Sequence, residues 1–350
     1  MTAPTRIGIV GYGFGGRVFH APLVAAAAGC ELVGVVTRSP ARRAELAADA
    51  AGVPAYDDLA TLAGTGVDAV TITTPLAAHA DLVREALDLG LPVVCDKPFT
   101  ADAATARALV EQAERAGVLL SVYQNRRWDA DYLTVRRVVE SGLLGDVEVF
   151  ESRMEQAPPR GGYGWTGGGV RLDFGAHVVD QALRLFGPVE SVVAETHTAT
   201  TPAGFDSRWF GLLRHAGGVS SRITADWALH GGGGPRFRVQ GRDAALVVAV
   251  DDDGQTARLQ ADRSAALTPD FGSVPEENWG RIWRGGAAAE TVPAERGSWH
   301  RFYEGWGAAV RGEGPVPVDP RDAVAALEVL DAARESASSG VAVRLTPPAP

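Results

Sequence analysis

The sequence predicts an α/β chain: an N-terminal doubly wound parallel sheet, then an α+β part built on a large, mostly antiparallel sheet. Three observations carry this. Up to Tyr123, short apolar runs alternate with helically spaced segments; beyond it, apolar runs follow one another across Gly and Asp turns; and Gly11-Tyr12-Gly13-Phe14-Gly15-Gly16 directly follows the first apolar run. At 350 residues the chain exceeds what one core usually serves, so two domains are expected, 1–123 and 124–350.

In the first part, strand-length runs occur at Ile7 to Val10, Leu32 to Val36, Ala69 to Ile72, Val93 to Cys95 and Val118 to Val122. Helical spacing fills Arg17 to Ala28, Ala41 to Ala51, Ala77 to Leu89 and Ala101 to Ala116, with Gly90 and Gly117 where helix-ending glycines are wanted. Right-handed crossovers between such strands give an open parallel sheet with helices on both faces. A helix at Asp131 to Glu140 and a strand at Asp146 to Met154 then lead to the Gly-rich loop Gly161 to Gly169 and one further helix. Val189 to His197, Trp209 to Leu213, Val219 to Trp227, Phe237 to Gln240, Ala245 to Val250 and Ala257 to Gln260 read as successive strands, which without helices between them favour antiparallel pairing. Helices at Trp299 to Arg311 and Arg321 to Ser336 close the chain.

A net charge of −10 argues against a nucleic-acid surface, so any phosphate-bearing ligand needs local compensation. Two cysteines, Cys30 and Cys95, cannot build a disulfide framework, and a reducing cytoplasm is the expected setting. There is no signal-type leader and no apolar run of about 18 residues, so neither secretion nor membrane spanning is expected.

Gly11, Gly13 and Gly16 form G-x-G-x-x-G between a strand and a helix, the context in which this pattern binds a dinucleotide. Gly11 permits the tight turn, Gly13 the approach of the pyrophosphate and Gly16 close packing, while free amides at the helix start face the anion, so Tyr12, Phe14 and Gly15 join the candidate cofactor site. An acidic residue usually ends the second strand of NAD-binding domains. Here Thr37 and Arg38 stand there, with Arg42 and Arg43 one turn later, which favours a 2′-phosphate and hence NADP(H) over NAD(H). Thr73, Thr74 and Pro75, ending the strand Ala69 to Ile72, are expected to line the nucleotide. His79 is a further candidate contact, with a structural role as the alternative.

Lys97 follows the strand Val93 to Cys95, and Pro98 restricts its backbone, so the lysine is directed from a strand's carboxyl end toward the nicotinamide with Asp96 beside it. In Gly167-Gly168-Gly169-Val170-Arg171-Leu172-Asp173-Phe174-Gly175-Ala176-His177, Asp173 and His177 are four apart and share a helix face. A carboxylate beside an imidazole suits transfer of a hydroxyl proton near neutral pH. The proton acceptor is then His177, with Lys97 stabilising charge on the substrate oxygen, or Lys97 itself. No Cys or His cluster of ligand spacing accompanies them, so no metal is expected. Tyr163 and Trp165 are candidates to lie against a sugar ring, and Arg160 or Asn125 to bond its hydroxyls, with loop packing as the alternative.

The Gly-rich turn, Cys95-Asp96-Lys97-Pro98 and the segment carrying Asp173 and His177 together resemble the glucose-fructose oxidoreductase / inositol dehydrogenase family, Gfo/Idh/MocA, over nearly the whole chain. The resemblance implies a Rossmann domain followed by a sheet domain that often mediates oligomerisation, here as a homodimer or homotetramer. It also implies NAD(P)-linked oxidation of sugars or polyols, with Lys97, Asp173 and His177 as the catalytic set. Tyr123-Gln124-Asn125-Arg126-Arg127-Trp128-Asp129, Phe19-His20-Ala21-Pro22 and Ser141-Gly142-Leu143-Leu144-Gly145 are similar to the NADP-dependent scyllo-inositol dehydrogenase branch. Asp96 departs from the family's usual Glu by one methylene. The competing expectations are reduction of another keto-sugar or a dihydrodiol-type substrate, and a non-catalytic NADP-binding sensor or regulator.

Overall fold

A computed structural model of the chain describes residues 3–157, 168–198, 205–229, 231, 233–249 and 254–346. Two compact units emerge. The first comprises Met1–Trp128, Gly254–Phe271 and Ser298–Val324, the second Asp129–Asp253, Gly272–Gly297 and Ala325–Pro350.

In the first unit, β1 (Thr5–Val10), β2 (Cys30–Val36), β3 (Ala55–Tyr56), β4 (Ala69–Ile72), β5 (Val93–Cys95) and β6 (Leu120–Val122) pair in parallel in the order β3-β2-β1-β4-β5-β6. Every residue of β4, β5 and β6 is buried, which is why these strands read as apolar runs, interrupted only by Thr71 and Ser121, rather than alternating ones. The crossovers are α1 (Ala21–Ala26), α2 (Pro40–Asp49), α3 (Leu59–Ala63), α4 (His79–Asp88) and α5 (Ala103–Ala116). Local chemistry fixes their ends. Asp102 caps α5 by accepting from the Thr105 amide at 2.8 Å, and Gly117 ends it in the left-handed region. Where one helix was expected over Arg17 to Ala28, the chain forms a π-helical turn, Gly15–His20, that runs into α1.

One expected strand is corrected. Ala257 to Gln260 lies within a helix that spans Gln255–Ala261, and Gln255 and Leu259, four apart, are both fully buried. Four residues are too few to separate a period of 2 from one of 3.6. Gln255 Oε1 accepts from the Trp299 amide at 3.1 Å, tying this helix to the aromatic core of Tyr123, Trp299, Phe302, Tyr303 and Trp306.

The second unit holds α6 (Ala130–Glu140), β7 (Val147–Glu155), α7 (Gly169–Asp173), α8 (Gly175–Phe186), β8 (Val189–Thr198), β9 (Asp206–His215), β10 (Ser220–Asp226), β11 (Phe237–Gly241) and β12 (Ala245–Val248). With β13 (Gly280–Trp283), β14 (Glu290–Val292) and β15 (Val343–Arg344) they build a nine-stranded sheet, order β14-β13-β12-β11-β7-β10-β9-β8-β15. All its pairs are antiparallel except β7 with β10. In β9, buried Ser207, Trp209, Gly211, Leu213 and His215 alternate with more exposed neighbours, the period of a sheet covered on one face.

A buried ion pair anchors this unit. Arg236, with no exposed side chain, lies 3.3 Å from Asp131 Oδ2, donates to Ser152 Oγ and Gln181 Oε1 at 2.8 Å each, and stacks over Phe237. Gln181 belongs to α8, so α6, α8 and two strands meet on one guanidinium. Asp131→Ala removes a buried carboxylate from that guanidinium and is expected to destabilise the protein by about 3–5 kcal/mol, read as a lowered thermal midpoint.

Candidate active site

The strand order reverses between β1 and β4, where parallel sheets bind ligands at their carboxyl ends. The glycine turn sits there. Gly11 has φ +104, a conformation that favours glycine, and its amide donates to the Val36 carbonyl at 3.0 Å. A Cβ on Gly16 would lie 2.2 Å from the Gly11 carbonyl oxygen, so the turn closes only with glycine there. A Cβ on Gly13 would meet nothing within 4 Å, leaving an open approach to the backbone of the kind a pyrophosphate uses. These residues therefore fit a dinucleotide.

At the end of β2, Arg43 Nε donates to the Thr37 carbonyl at 3.0 Å, and its Nη2 to Asp57 Oδ1 at 2.7 Å. Arg38 Nε donates to the Asp57 carbonyl at 2.9 Å. Two guanidinium groups thus stand beside Thr37, while Arg42 turns to Glu45.

The ends of β4 and β5 converge on the same turn. A Cβ on Gly15 would come within 2.6 Å of Thr73 Oγ1 and 3.0 Å of Asp96 Oδ2, so the Asp96 carboxylate closes directly on the glycine turn. Its Oδ1 accepts from the Lys97 amide at 2.8 Å; its Oδ2 accepts from Thr73 Oγ1 at 3.3 Å and lies 3.1 Å from His20 Nε2. Burial pushes the Asp96 carboxyl up, but His20, Lys97 and His79 outweigh it and hold the group below the usual carboxylate range. Its stabilising contribution is accordingly present above the ordinary carboxyl pKa and is lost as pH falls through the depressed value.

His79, placed among the cofactor contacts by sequence, is buried, with Nε2 2.8 Å from the Thr74 carbonyl and Nδ1 3.0 Å from that of Pro98. It braces the two loops that carry Thr74 and Lys97. Asn125, also buried, opens the 3-10 turn after β6. Lys97 is the one lysine in a sequence whose other basic side chains, histidines aside, are all arginine.

In the second unit, Asp173 ends α7 and His177 lies in the first turn of α8. Phe174 joins the two helices with helical backbone angles, and the His177 and Val178 amides both donate to its carbonyl. The pair is therefore one turn apart, as its spacing requires. His177 is 4% exposed and Asp173 is half-buried. Asp206 of β9 holds the start of this segment, accepting from the Arg171 amide at 2.7 Å; burial pushes its carboxyl up, opposed by Arg171. Arg160, Tyr163 and Trp165 lie outside the described residues.

Sequence reasoning did not assign a role to His20 or Tyr303. Both are fully buried, yet His20 reaches Asp96. A histidine inside the apolar run Val18 to Val24 is the signal that points to it, because a buried imidazole needs polar partners.

A glycine turn open to a pyrophosphate at the switch point of a parallel sheet ordered β3-β2-β1-β4-β5-β6 defines a dinucleotide-binding protein of the Rossmann class. The chain belongs to the Gfo/Idh/MocA oxidoreductase family: residues 5–124 match the family's NAD-binding Rossmann domain and 132–247 its C-terminal domain. It is 29% identical to a scyllo-inositol 2-dehydrogenase (NADP(+)) of Bacillus subtilis, over 95% of this chain and 93% of that one. It is 36% identical to an inositol 2-dehydrogenase of Rhizobium meliloti over 55% of this chain and 58% of that one. A D-apiose dehydrogenase of Paraburkholderia graminis is 28% identical over 83% and 76%. Among solved structures, a candidate oxidoreductase from Klebsiella pneumoniae superposes with a TM-score of 0.89 at 34% identity, covering 98% and 96% of the two chains. No described helix is long and apolar enough to cross a membrane.

Proposed function

We propose that this oxidoreductase uses NADP(H) to interconvert a secondary alcohol and a ketone on a cyclic polyol or sugar. The observation that carries the reading is the chain's single lysine, standing at the carboxyl end of β5 next to a carboxylate that closes on the glycine turn. A compact ammonium on a flexible stem suits an oxygen that gains charge during a reaction better than a planar guanidinium does. The names of the Bacillus, Rhizobium and Paraburkholderia relatives support the substrate class.

Amides of the Gly11–Gly16 turn would hold the pyrophosphate, with Tyr12 and Phe14 in the same turn, and Thr73, Thr74 and Pro75 would line the nucleotide. Arg38 and Arg43 would hold the 2′-phosphate beside Thr37. The bound nicotinamide supplies the hydride acceptor, or the donor in the reverse direction. His177 takes the hydroxyl proton during oxidation, and Asp173 orients the imidazole and stabilises its charged form. Lys97 hydrogen-bonds the substrate oxygen and stabilises its developing negative charge.

The test follows NADPH absorbance with inositols, glucose, xylose and their keto forms. Turnover of a cyclic polyol with NADP(+) is expected, whereas nucleotide binding without turnover of any of them would favour a sensor. Arg38→Ala is expected to raise the KM for NADP(+) by about 10- to 100-fold, the loss of one charge-assisted hydrogen bond, with little change for NAD(+). Unchanged selectivity in that variant would refute the assignment of the 2′-phosphate site.

A further inference from the structure

We propose that His20 is a positioning residue for the turn that carries Lys97, acting through the Asp96 carboxylate without touching substrate or nucleotide itself. The inference rests on the assignment of Lys97 to the reaction.

The geometry is a buried polar chain. His20 has no exposed surface, its Nε2 lies 3.1 Å from Asp96 Oδ2, and its Nδ1 lies 2.5 Å from the Tyr303 hydroxyl. That hydroxyl is in turn 3.4 Å from Thr71 Oγ1 on β4. Tyr123 packs against the imidazole at 4.3 Å between centroids, so apolar rings hold the plane of a side chain whose two nitrogens both have polar partners. With the proton assigned to Nε2, the imidazole sets that N–H beside the Asp96 carboxylate, in ion-pair range, and accepts at Nδ1 from Tyr303.

Asp96 passes the constraint on. Its second oxygen accepts from the Lys97 amide, so the carboxylate fixes the peptide from which the lysine side chain departs. An aspartate has a short reach. Three groups from three different segments, His20 after the glycine turn, Thr73 after β4 and the Lys97 amide after β5, hold this one in place. These contacts restrain the carboxylate and, through the Lys97 amide, the turn beyond it.

Reductive methylation with 13C-formaldehyde labels one side chain, Lys97, because the sequence has no other lysine; the only other amine is the chain's α-amino group. The variants are His20→Leu, which removes both polar contacts, His20→Gln, which keeps a polar donor on the Asp96 side, Tyr303→Phe and Asp96→Asn. Expected in His20→Leu is a displaced 13C signal from Lys97, and a kcat lowered by about 10- to 100-fold, the effect of a misplacement of about an ångström. His20→Gln restores both readings toward wild type, and Tyr303→Phe falls between. In the Asp96→Asn background, His20→Leu should add little further loss, since the two act as one unit. An unmoved Lys97 signal in folded His20→Leu and Tyr303→Phe proteins overturns the proposal, as does a full additional loss in the double variant. A wild-type protein that turns over no polyol refutes the proposed function, while the 13C signal still decides the role of His20.

Discussion

Lys97→Met is expected to lower kcat by about 100- to 1,000-fold, the range seen when one donor that stabilises a developing oxyanion is removed. Methionine keeps much of the side-chain length and removes only the ammonium. The Lys97 amide still donates to Asp96, and His79 still bridges the carbonyls of Thr74 and Pro98, so the turn keeps its supports. Nucleotide affinity, measured by NADPH fluorescence, should therefore stay near wild type while turnover falls. A loss confined to nucleotide binding would make Lys97 a cofactor ligand rather than a catalytic residue.

His177→Asn is expected to reduce kcat by about 100- to 10,000-fold, the usual contribution of a positioned general acid–base group. The residue is 4% exposed on a helix held by the Gln181–Arg236 contact, so asparagine leaves a small void but keeps a polar group, and folding should survive. The pH dependence of turnover separates the two candidate proton acceptors. If His177 takes the proton, its limb of the pH–rate profile disappears in His177→Asn and persists in Lys97→Met. The opposite pattern assigns the proton to Lys97.

Much of the first sheet was legible because its strands β4, β5 and β6 are buried on both faces. Ala69–Ile72 and Val93–Cys95 are apolar runs apart from Thr71 and are bounded by polar or turn residues, and the structure gives them the expected limits. The strand Ala55–Tyr56 and the helix Leu59–Ala63 are too short to generate a period that a sequence pattern would show. Gly280–Trp283 and Glu290–Val292, at one edge of the second sheet, lack a sustained alternation of their own and become strands by pairing with neighbours.

Legibility of the candidate site followed the same logic. The glycine turn is a local requirement of backbone and sterics, so it is written in adjacent residues. The His20–Asp96–Tyr303 chain joins residues more than 200 positions apart, and no local pattern contains it. A further signal lies in the sequence itself, where Lys97 is the single lysine. Asp96, one methylene shorter than the glutamate that the resemblance implies, still has His20 and Thr73 within its reach.

Hydride transfer between a carbinol carbon and the nicotinamide is tested most directly by following the isotope. With an inositol deuterated at the carbinol carbons and NADP(+) as the acceptor, deuterium is expected at the nicotinamide ring of the NADPH formed, together with transfer that is lost in step with kcat in Lys97→Met. NADP(H) binding with no deuterium transferred from any cyclic polyol or sugar would contradict it.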